Sequence, residues 1–360
     1  MPRFQLKRRW KLLLTIILVP VFLALIYLTS VVALAVLTDW QPKGISRLIP
    51  VGQSGKQSLV PDTLSFYTWN IGYAGLGAEM DFFYDGGSQV RASRELHAKY
   101  LEAIAAFLAS SDSVDFFLLQ EVDSASDRTY GTDEYTKCRE SLPAFASSFA
   151  KNYDVNFVPV PYTNPMGKAH AGLSSFFRYP AVSADRHQYP GELPFFQRLF
   201  LLDRCAQVLR FEAKSGKQLV VINTHNTTYD DGEVKELEME YLKIFFLEEY
   251  NKGNYVIAGG DWNQCPPFFD PRRLGMGDNS GCEGFTIPAE ILPEDWIWVW
   301  DPEIPSNRKL DEVYNPETAR LSWIDFYVVS PNVRVLRCHG VEQGFAFSDH
   351  HPVFLKIALL

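Results

Sequence analysis

The sequence predicts a mixed α/β or α+β domain that follows one N-terminal transmembrane helix. Residues 12–37 contain no charged side chain, and a basic segment precedes them. Beyond residue 60, short runs rich in β-forming residues alternate with amphipathic stretches, which is the pattern of strands interleaved with helices. The 360 residues are 47% hydrophobic and 21% charged, as is typical of a folded chain with a sizeable core.

The uncharged run is long enough to cross a membrane. A bilayer core needs about 20 apolar helical residues at about 1.5 Å each, so residues 12–37 span it with some tilt. The basic tail of residues 1–11 should remain cytoplasmic, which places the rest of the chain in a periplasmic or extracellular space. The alternative is a cleaved signal peptide and a secreted domain, because residues 33–35 offer a small-x-small site. The length of the run favours an uncleaved anchor.

Residues 38–60 are predicted to be a linker because proline and glycine recur there, and residues 61–360 are predicted to form the folded domain. The predicted strands are 64–69, 115–119, 155–159, 173–177, 219–224, 255–259, 323–329 and 353–357. The predicted helices are 91–108, 142–151 and 233–250. Residues 262–320 are rich in proline, glycine and asparagine and predict long loops.

Polar residues stand where several predicted strands end. They are Asn70 after FYTW, Glu121 after FFLLQ, His225 after VVINT, Asp261 after VIAGG, and Asp325 within LSWIDFYVV. A strand end holds a side chain rigidly while leaving it open to a cleft. We therefore expect these residues to converge on one site.

Six short motifs occur in an order and spacing that resemble the endonuclease/exonuclease/phosphatase superfamily. They are TWN (68–70), LQEVD (119–123), NTHN (223–226), GGDWN (259–263), SWIDF (322–326) and SDHHP (348–352). The resemblance covers about residues 61–360. It implies a four-layer sandwich of two mixed β-sheets flanked by helices. The superfamily includes metal-dependent nucleases, inositol polyphosphate phosphatases, sphingomyelinases and deadenylases.

The resemblance also implies a metal site. Glu121 matches the main metal ligand, with Asn70 beside it and Asp349 completing or supporting the coordination. Carboxylate and amide oxygens favour Mg²⁺ or Mn²⁺ over zinc, and Ca²⁺ is a further alternative.

The catalytic roles follow from the same resemblance. His350 matches the family's histidine, and Asp325 is its expected partner, fixing the tautomer and stabilising the protonated ring. Asp261 and Asn263 are expected to approach the attacking water and the phosphate, and His225 to donate to the phosphate. The sequence leaves open whether Asp261 or His350 accepts the proton.

Several other residues have two interpretations. Of the adjacent His350 and His351, only His350 is assigned to the site, because neighbours in an extended segment point to opposite faces. Trp69 and Trp262 are expected to be packing residues rather than substrate-stacking ones. Further candidates for contacting an anionic substrate are Arg128, Lys168 and Arg178, and residues 72–87 are expected to form a loop above the site.

Five cysteines, at 138, 205, 265, 282 and 338, show no C-x-x-C pair or zinc-type spacing. Cys265 and Cys282 would close one loop if the domain is exported. Two ordinary free cysteines are the favoured alternative at these positions.

The predicted function is divalent-metal-dependent hydrolysis of phosphate esters, either phosphodiesters or phosphomonoesters, by in-line water attack. A small or lipid-linked substrate is favoured because the chain is anchored in a membrane. An exported nuclease is the alternative, but the net charge of −9 offers nucleic acid no general attraction. The family resemblance implies that His225 disfavours apurinic-site repair, because abasic-site endonucleases carry another residue at this point. A non-catalytic binding module is disfavoured because the acid and histidine residues are all present. Oligomeric state is left open.

Overall fold

The computed structural model describes residues 2–52, 55, 58–191, 193–228, 232–270, 282 and 286–360. The five helices are α1 Pro2–Leu37, α2 Arg94–Ser110, α3 Glu134–Ser141, α4 Phe195–Arg198 and α5 Glu233–Asn251. The fifteen strands are β1 Ile45–Arg47, β2 Thr63–Asn70, β3 Phe116–Asp123, β4 Ala146–Val158, β5 Gly167–Phe177, β6 Ser183–Gln188, β7 Cys205–Glu212, β8 Gln218–His225, β9 Tyr255–Asp261, β10 Ile297–Val299, β11 Asn307–Arg308, β12 Leu321–Ser322, β13 Asp325–Val329, β14 Val333–Gly340 and β15 Val353–Leu359.

Helix α1 contains a candidate membrane span, Trp10–Leu37, whose most apolar window has a mean hydropathy of 2.7. A signal sequence near an N-terminus has the same length and composition. The helix therefore fits either an anchor or a signal sequence.

Two sheets pack face to face and form the centre of the domain. Seven strands build one sheet in the order β1-β6-β7-β8-β9-β13-β10, and six build the other in the order β14-β15-β2-β3-β5-β4. Phe66 and Phe116 of the six-stranded sheet meet Phe211 and Ile257 of the seven-stranded sheet in the buried core between them. Because successive strand side chains alternate between faces, each sheet also presents an apolar outer face that must be covered.

Helices cover both outer faces. Helix α2 packs on the six-stranded sheet through Tyr100 and Ile104, and α5 packs on the seven-stranded sheet through Leu242 and Phe246. The order of layers is helix, sheet, sheet, helix. The predicted four-layer sandwich is confirmed.

The predicted helix at 142–151 is wrong, because Ala146–Val158 forms the long strand β4. Its alanine, phenylalanine and lysine residues are compatible with a helix, but pairing with β5 along its length decides the conformation. The local helix lies earlier, at α3, where the Asp133 side chain accepts the backbone N–H of Thr136 as an N-cap.

The predicted linker is partly built into the sandwich. Strand β1 pairs with β6 at the edge of the seven-stranded sheet, and Val51 bridges to Ser147. Val60 bridges to Ala213 and is fully buried in the core between the sheets. The described part of residues 38–60 is therefore attached to the sandwich at three places. Within the predicted loop region 262–320, the described residues contain the short strands β10 and β11.

Cys265 and Cys282 form a disulfide, so the favoured interpretation of two free thiols is wrong at these positions. The pair is buried beside Phe269 and Trp323. Sequence spacing could not decide this pairing, because it depends on which side chains the fold brings together.

The core between the sheets makes a testable prediction. Phe116 is fully buried, stacks on Phe66 with ring centroids 4.7 Å apart, and meets Phe211 edge-on at 5.1 Å. Phe116→Ala should lower the free energy of unfolding by about 3–5 kcal/mol, as removal of a buried phenylalanine ring does elsewhere. Denaturant unfolding of the full-length protein measures this. Phe195→Ala, at a ring that is 52% exposed, is the matched control and should change it by less than about 0.5 kcal/mol.

Candidate active site

The ends of the central strands bring the predicted site residues to one edge of the sandwich. Parallel pairing places His225 at the end of β8 beside Asp261 at the end of β9. Antiparallel pairing places Asp325, at the start of β13, opposite Asp261. In the other sheet, the parallel strands β2 and β3 carry Asn70 and Glu121 to the same edge.

Two glycines allow β9 to deliver Asp261 between its neighbours. A Cβ on Gly260 would lie 2.0 Å from the carbonyl oxygen of Thr224, and a Cβ on Gly259 would lie 2.5 Å from the ring of Tyr327. Only glycine therefore fits this close approach of backbone to neighbouring strands. The GGD sequence is a packing requirement of the site.

A bulge aims Glu121 into the cleft. The register between β3 and β5 shifts between Leu119 and Val122, and Glu121 adopts a left-handed φ of 52°. Bulges redirect side chains, and a left-handed conformation in a residue other than glycine costs about 1–3 kcal/mol. The backbone is thus held in an unfavourable conformation at the residue predicted to be the main metal ligand.

Asn70 joins the two sheets through its amide. Its Nδ2 donates to Asp261 Oδ2 at 2.9 Å and to Glu121 Oε1 at 3.2 Å, while its Oδ1 accepts the backbone N–H of Gly72 at 3.0 Å. A Cβ on Gly72 would lie 2.8 Å from Asp349 Oδ1, so Asp349 stands on the same side of the cleft. The three predicted metal ligands, Asn70, Glu121 and Asp349, therefore lie in one small region.

The charges in this region fit a hard cation. Burial raises the pKa of Asp349 to about 7, with Glu121 adding to the shift and His350 opposing it. The donor set consists of oxygen atoms, and a divalent cation would neutralise the facing carboxylates. Ligand atoms of Asp261, Asp325 and His350 also lie within 4.8 Å of one another, but Asp325 and His350 are already hydrogen-bonded together. Asn70, Glu121 and Asp349 therefore remain the predicted metal ligands.

His350 and Asp325 form the expected pair. His350 Nδ1 lies 2.7 Å from Asp325 Oδ2, and His350 Nε2 lies 3.8 Å from both Asp261 Oδ2 and Asp349 Oδ2. Burial alone would lower the pKa of His350, but the carboxylates of Asp325, Asp349 and Asp261 outweigh it and hold the pKa well above its usual value. These carboxylates favour the protonated form of the ring.

His225 has the opposite protonation behaviour. Its Nε2 lies 3.4 Å from Asp261 Oδ2 and 3.8 Å from Glu121 Oε1. Burial, aided by Arg204 and His350, lowers the pKa of His225 well below its usual value. The ring is therefore neutral, and a proton on Nε2 faces the cleft and the two carboxylates.

Asn263 lies at the mouth of the site in a left-handed conformation, with φ 51°. Its backbone N–H donates to Asp261 Oδ1 at 2.9 Å, and its Nδ2 donates to the carbonyl of Asn226 at 2.9 Å. The side chain lines the cleft next to the reactive acid. Its predicted role at the water or the phosphate remains a prediction.

The structure also shows the surroundings of the residues for which the sequence left two interpretations. The rings of His351 and Phe345 stack with their centroids 3.9 Å apart, and His351 Nδ1 hydrogen-bonds to the carbonyl oxygen of Pro305. His351 is therefore not part of the pair formed by His350 and Asp325. Trp69 and Trp262 are fully buried, as expected of packing residues, and Trp69 Nε1 donates to the carbonyl of His350 at 2.9 Å.

The three basic residues predicted to contact an anionic substrate lie in different places. Arg128 is buried at the cleft wall, paired with Asp123 at 2.8 Å and stacked 3.6 Å above the ring of Tyr73. Arg178 instead donates to the carbonyl of Val114 and covers Phe145. Lys168 lies at the beginning of β5, where its backbone N–H bonds to Asp127.

Three cleft residues were missed by sequence reasoning. Asn307 Nδ2 lies 3.0 Å from His350 Nε2, and Arg204 and Arg308 line the cleft. They come from loops or very short strands that carry no strong sequence pattern. The cleft has a volume of about 560 Å³, which accommodates a small-molecule head group.

Known proteins share this architecture. A family model described as the Endonuclease/Exonuclease/phosphatase family matches residues 67–350. No curated protein sequence matches the chain significantly. Among solved structures, an endonuclease/exonuclease/phosphatase from Beutenbergia cavernae DSM 12333 is 16% identical with a TM-score of 0.57, covering 83% of this chain and 72% of that one.

Two further structures are similar. An endonuclease/exonuclease/phosphatase from Bacteroides vulgatus is 18% identical with a TM-score of 0.51, covering 83% of this chain and 99% of that one. ANGEL2, described as a 2′,3′-cyclic phosphatase, is 15% identical with a TM-score of 0.52, covering 82% of this chain and 96% of that one. At these identities the similarity shows a shared fold.

The paired histidine makes a prediction that needs no substrate. Asp325→Asn removes the nearest negative charge, so the imidazolium of His350 is less stable and its pKa should fall. Imidazole NMR titration of metal-free, full-length protein measures the change. His351 is the internal control, because burial lowers its pKa to about 4 and Asp325 does not contact it. An unchanged titration of His350 in the variant would contradict the assignment.

Proposed function

Because the chain belongs to the endonuclease/exonuclease/phosphatase family, we propose that it is a divalent-metal-dependent hydrolase of phosphate esters. The observation that carries this proposal is the pairing of His350 with Asp325 beside Asp261 and Glu121 in one cleft. A set of acids next to a fixed imidazolium can accept a proton from water and stabilise charge on a phosphate in the same site.

Glu121, Asn70 and Asp349 would hold the metal, which fits Mg²⁺ or Mn²⁺ by donor type. A divalent ion there supplies polarisation of the phosphoryl oxygen and stabilisation of the leaving group. A cation there would be opposite the Glu121 and Asp349 carboxyl groups, which raise each other's cost of ionisation when no cation is bound.

Of Asp261 and His350, Asp261 is the better placed to accept the proton of the attacking water. The carboxylates around His350 favour its protonated form, so we assign it two roles: it supplies positive charge and gives a proton to the leaving oxygen. Water attacks phosphorus, a new P–O bond forms, and the ester P–O bond breaks. The proton of the water passes to Asp261, while the neutral His225 donates Nε2–H to a phosphate oxygen.

Two features support an extracytoplasmic location. The basic tail before the apolar run favours a cytoplasmic N-terminus. The Cys265–Cys282 disulfide suits an oxidising compartment. We propose that α1 is retained as an anchor, with the domain periplasmic or extracellular.

The reaction class is tested with full-length protein in detergent micelles and Mg²⁺. We expect turnover of soluble phosphate esters such as p-nitrophenyl and bis-p-nitrophenyl phosphate, abolished by EDTA. His350→Ala should lower kcat by about 10²–10⁴-fold, because it removes the fixed positive charge. Plasmid nicking at high turnover without ester hydrolysis would instead favour the nuclease alternative, and unchanged turnover in the variant would refute the mechanism.

The metal site is tested by Glu121→Gln. This change removes one negative charge from the predicted ligand set, so Mg²⁺ or Mn²⁺ affinity measured by calorimetry should fall about 10–100-fold or more. Glu317→Gln, at an exposed loop position, is the matched control and should bind metal like the unaltered protein. Equal affinities in the two variants would place the metal elsewhere.

A further inference from the structure

A second cavity of about 570 Å³ lies beside the catalytic cleft. One wall is the C-terminal part of α1, and the opposite walls are the β4–β5 loop and the segment around α4. We call it the anchor groove; its lining residues are Tyr27, Leu28, Val31, Val32, Tyr84, Pro159, Val160, Tyr162, Phe196, Gln197, Phe200 and Leu201. Its lining has no charged side chain, whereas the cleft contains acids, histidines and arginines.

The anchor groove and the cleft adjoin each other. Tyr84 and Leu201 line both cavities, and Leu202 extends the apolar wall on the cleft side. A molecule with a polar end and an apolar end could therefore occupy both at once, with its polar end near Glu121 and His350. This joins the reactive site to an apolar surface built partly from the membrane helix.

The length of α1 brings the groove to the membrane surface. The apolar segment Trp10–Leu37 has 28 residues, and its most apolar window has no buried residue. Crossing a bilayer core takes about 20 residues, so about eight residues, or roughly 12 Å of helix, remain beyond it. That is where Val31 and Ala35 become buried against the domain.

Exposed aromatic rings surround the groove. Tyr162 is 74% exposed and Phe196 is 65% exposed, and both line it; Phe195 beside them is 52% exposed. Aromatic residues concentrate where proteins meet the interface between a membrane and water. The rings are consistent with a groove that opens onto lipid.

We propose that the anchor groove holds the hydrocarbon chain of a membrane-derived phosphate ester while its phosphate lies in the catalytic cleft. This rests on the proposed phosphoesterase function. Water attacks the phosphorus and forms a new P–O bond while the P–O ester bond breaks; the proton from water passes to Asp261, and the leaving oxygen takes a proton from His350. The long-chain product remains in the groove or returns to the bilayer.

Turnover is tested with full-length protein in phosphatidylcholine vesicles and Mg²⁺. The long-chain substrates are phosphatidic acid, a monoester, and phosphatidylglycerol, a diester; the soluble esters above are the short substrates. Leu28→Trp places an indole in the groove from an exposed position and should lower kcat/KM for the hydrolysed long-chain ester at least tenfold. Turnover of the short esters should stay within twofold.

The matched control is Leu18→Trp. Leu18 is 53% exposed and Leu28 49%, both on α1, but only Leu28 lines the groove. The control should leave both kinds of turnover unchanged. Equal loss on long and short substrates in Leu28→Trp, or no loss on long-chain esters, would overturn the proposal.

Chain binding is measured separately from activity. A phosphatidic acid with a photoactivatable diazirine in its chain is cross-linked to the full-length protein in EDTA, and the labelled peptides are mapped by mass spectrometry. Labelling should fall on residues 159–162 and 196–201 and drop at least fivefold in Leu28→Trp but not in Leu18→Trp. Labelling elsewhere, or occupation of the groove by a copurifying peptide, would overturn the inference.

The two proposals fail differently. Absence of turnover on every ester, with groove labelling intact, would refute the phosphoesterase function. Efficient turnover of short esters without groove labelling would refute the lipid inference alone.

Discussion

The pairing of β9 with β8 on one side and β13 on the other is the interaction on which the site depends. It places Asp261 beside His225 and opposite Asp325 at one sheet edge. Backbone hydrogen bonds fix these positions, so acidic side chains remain close despite their mutual repulsion. The neighbouring carboxylates stabilise the protonated ring of His350 and favour the binding of a further positive charge at the site.

The second constraint is the connection between the two sheets. Asn70 reaches from β2 to Asp261, and Gln120 Nε2 donates to Asn223 Oδ1 at 2.7 Å across the buried interface. Such buried polar contacts specify one relative placement of the sheets because any other would leave the groups unpaired. The reactive geometry is therefore set by the same contacts that align the sandwich, and the bulge at Glu121 is held by this rigid surrounding.

The third feature is the attachment of the apolar helix α1 to the sandwich. Its C-terminal end packs on the domain at Val31 and Ala35, and the segment after it joins the sandwich through β1. The described part of residues 38–60 therefore holds the end of the helix close to the sandwich. If α1 is retained as an anchor, as we propose, this contact holds the cleft near the bilayer surface, and the apolar groove beside the cleft then faces membrane-derived substrates.

The sequence by itself determined the apolar helix, most central strands and the residues Asn70, Glu121, His225, Asp261, Asp325 and His350, because long apolar runs and strand-end polar residues are local patterns. Tertiary structure decided what local pattern cannot encode. Pairing with β5 overrode the helical tendency of residues 146–151. Only folding brought Cys265 against Cys282, Asn307 against His350, and α1 against the groove beside the cleft, because no local pattern encodes these contacts.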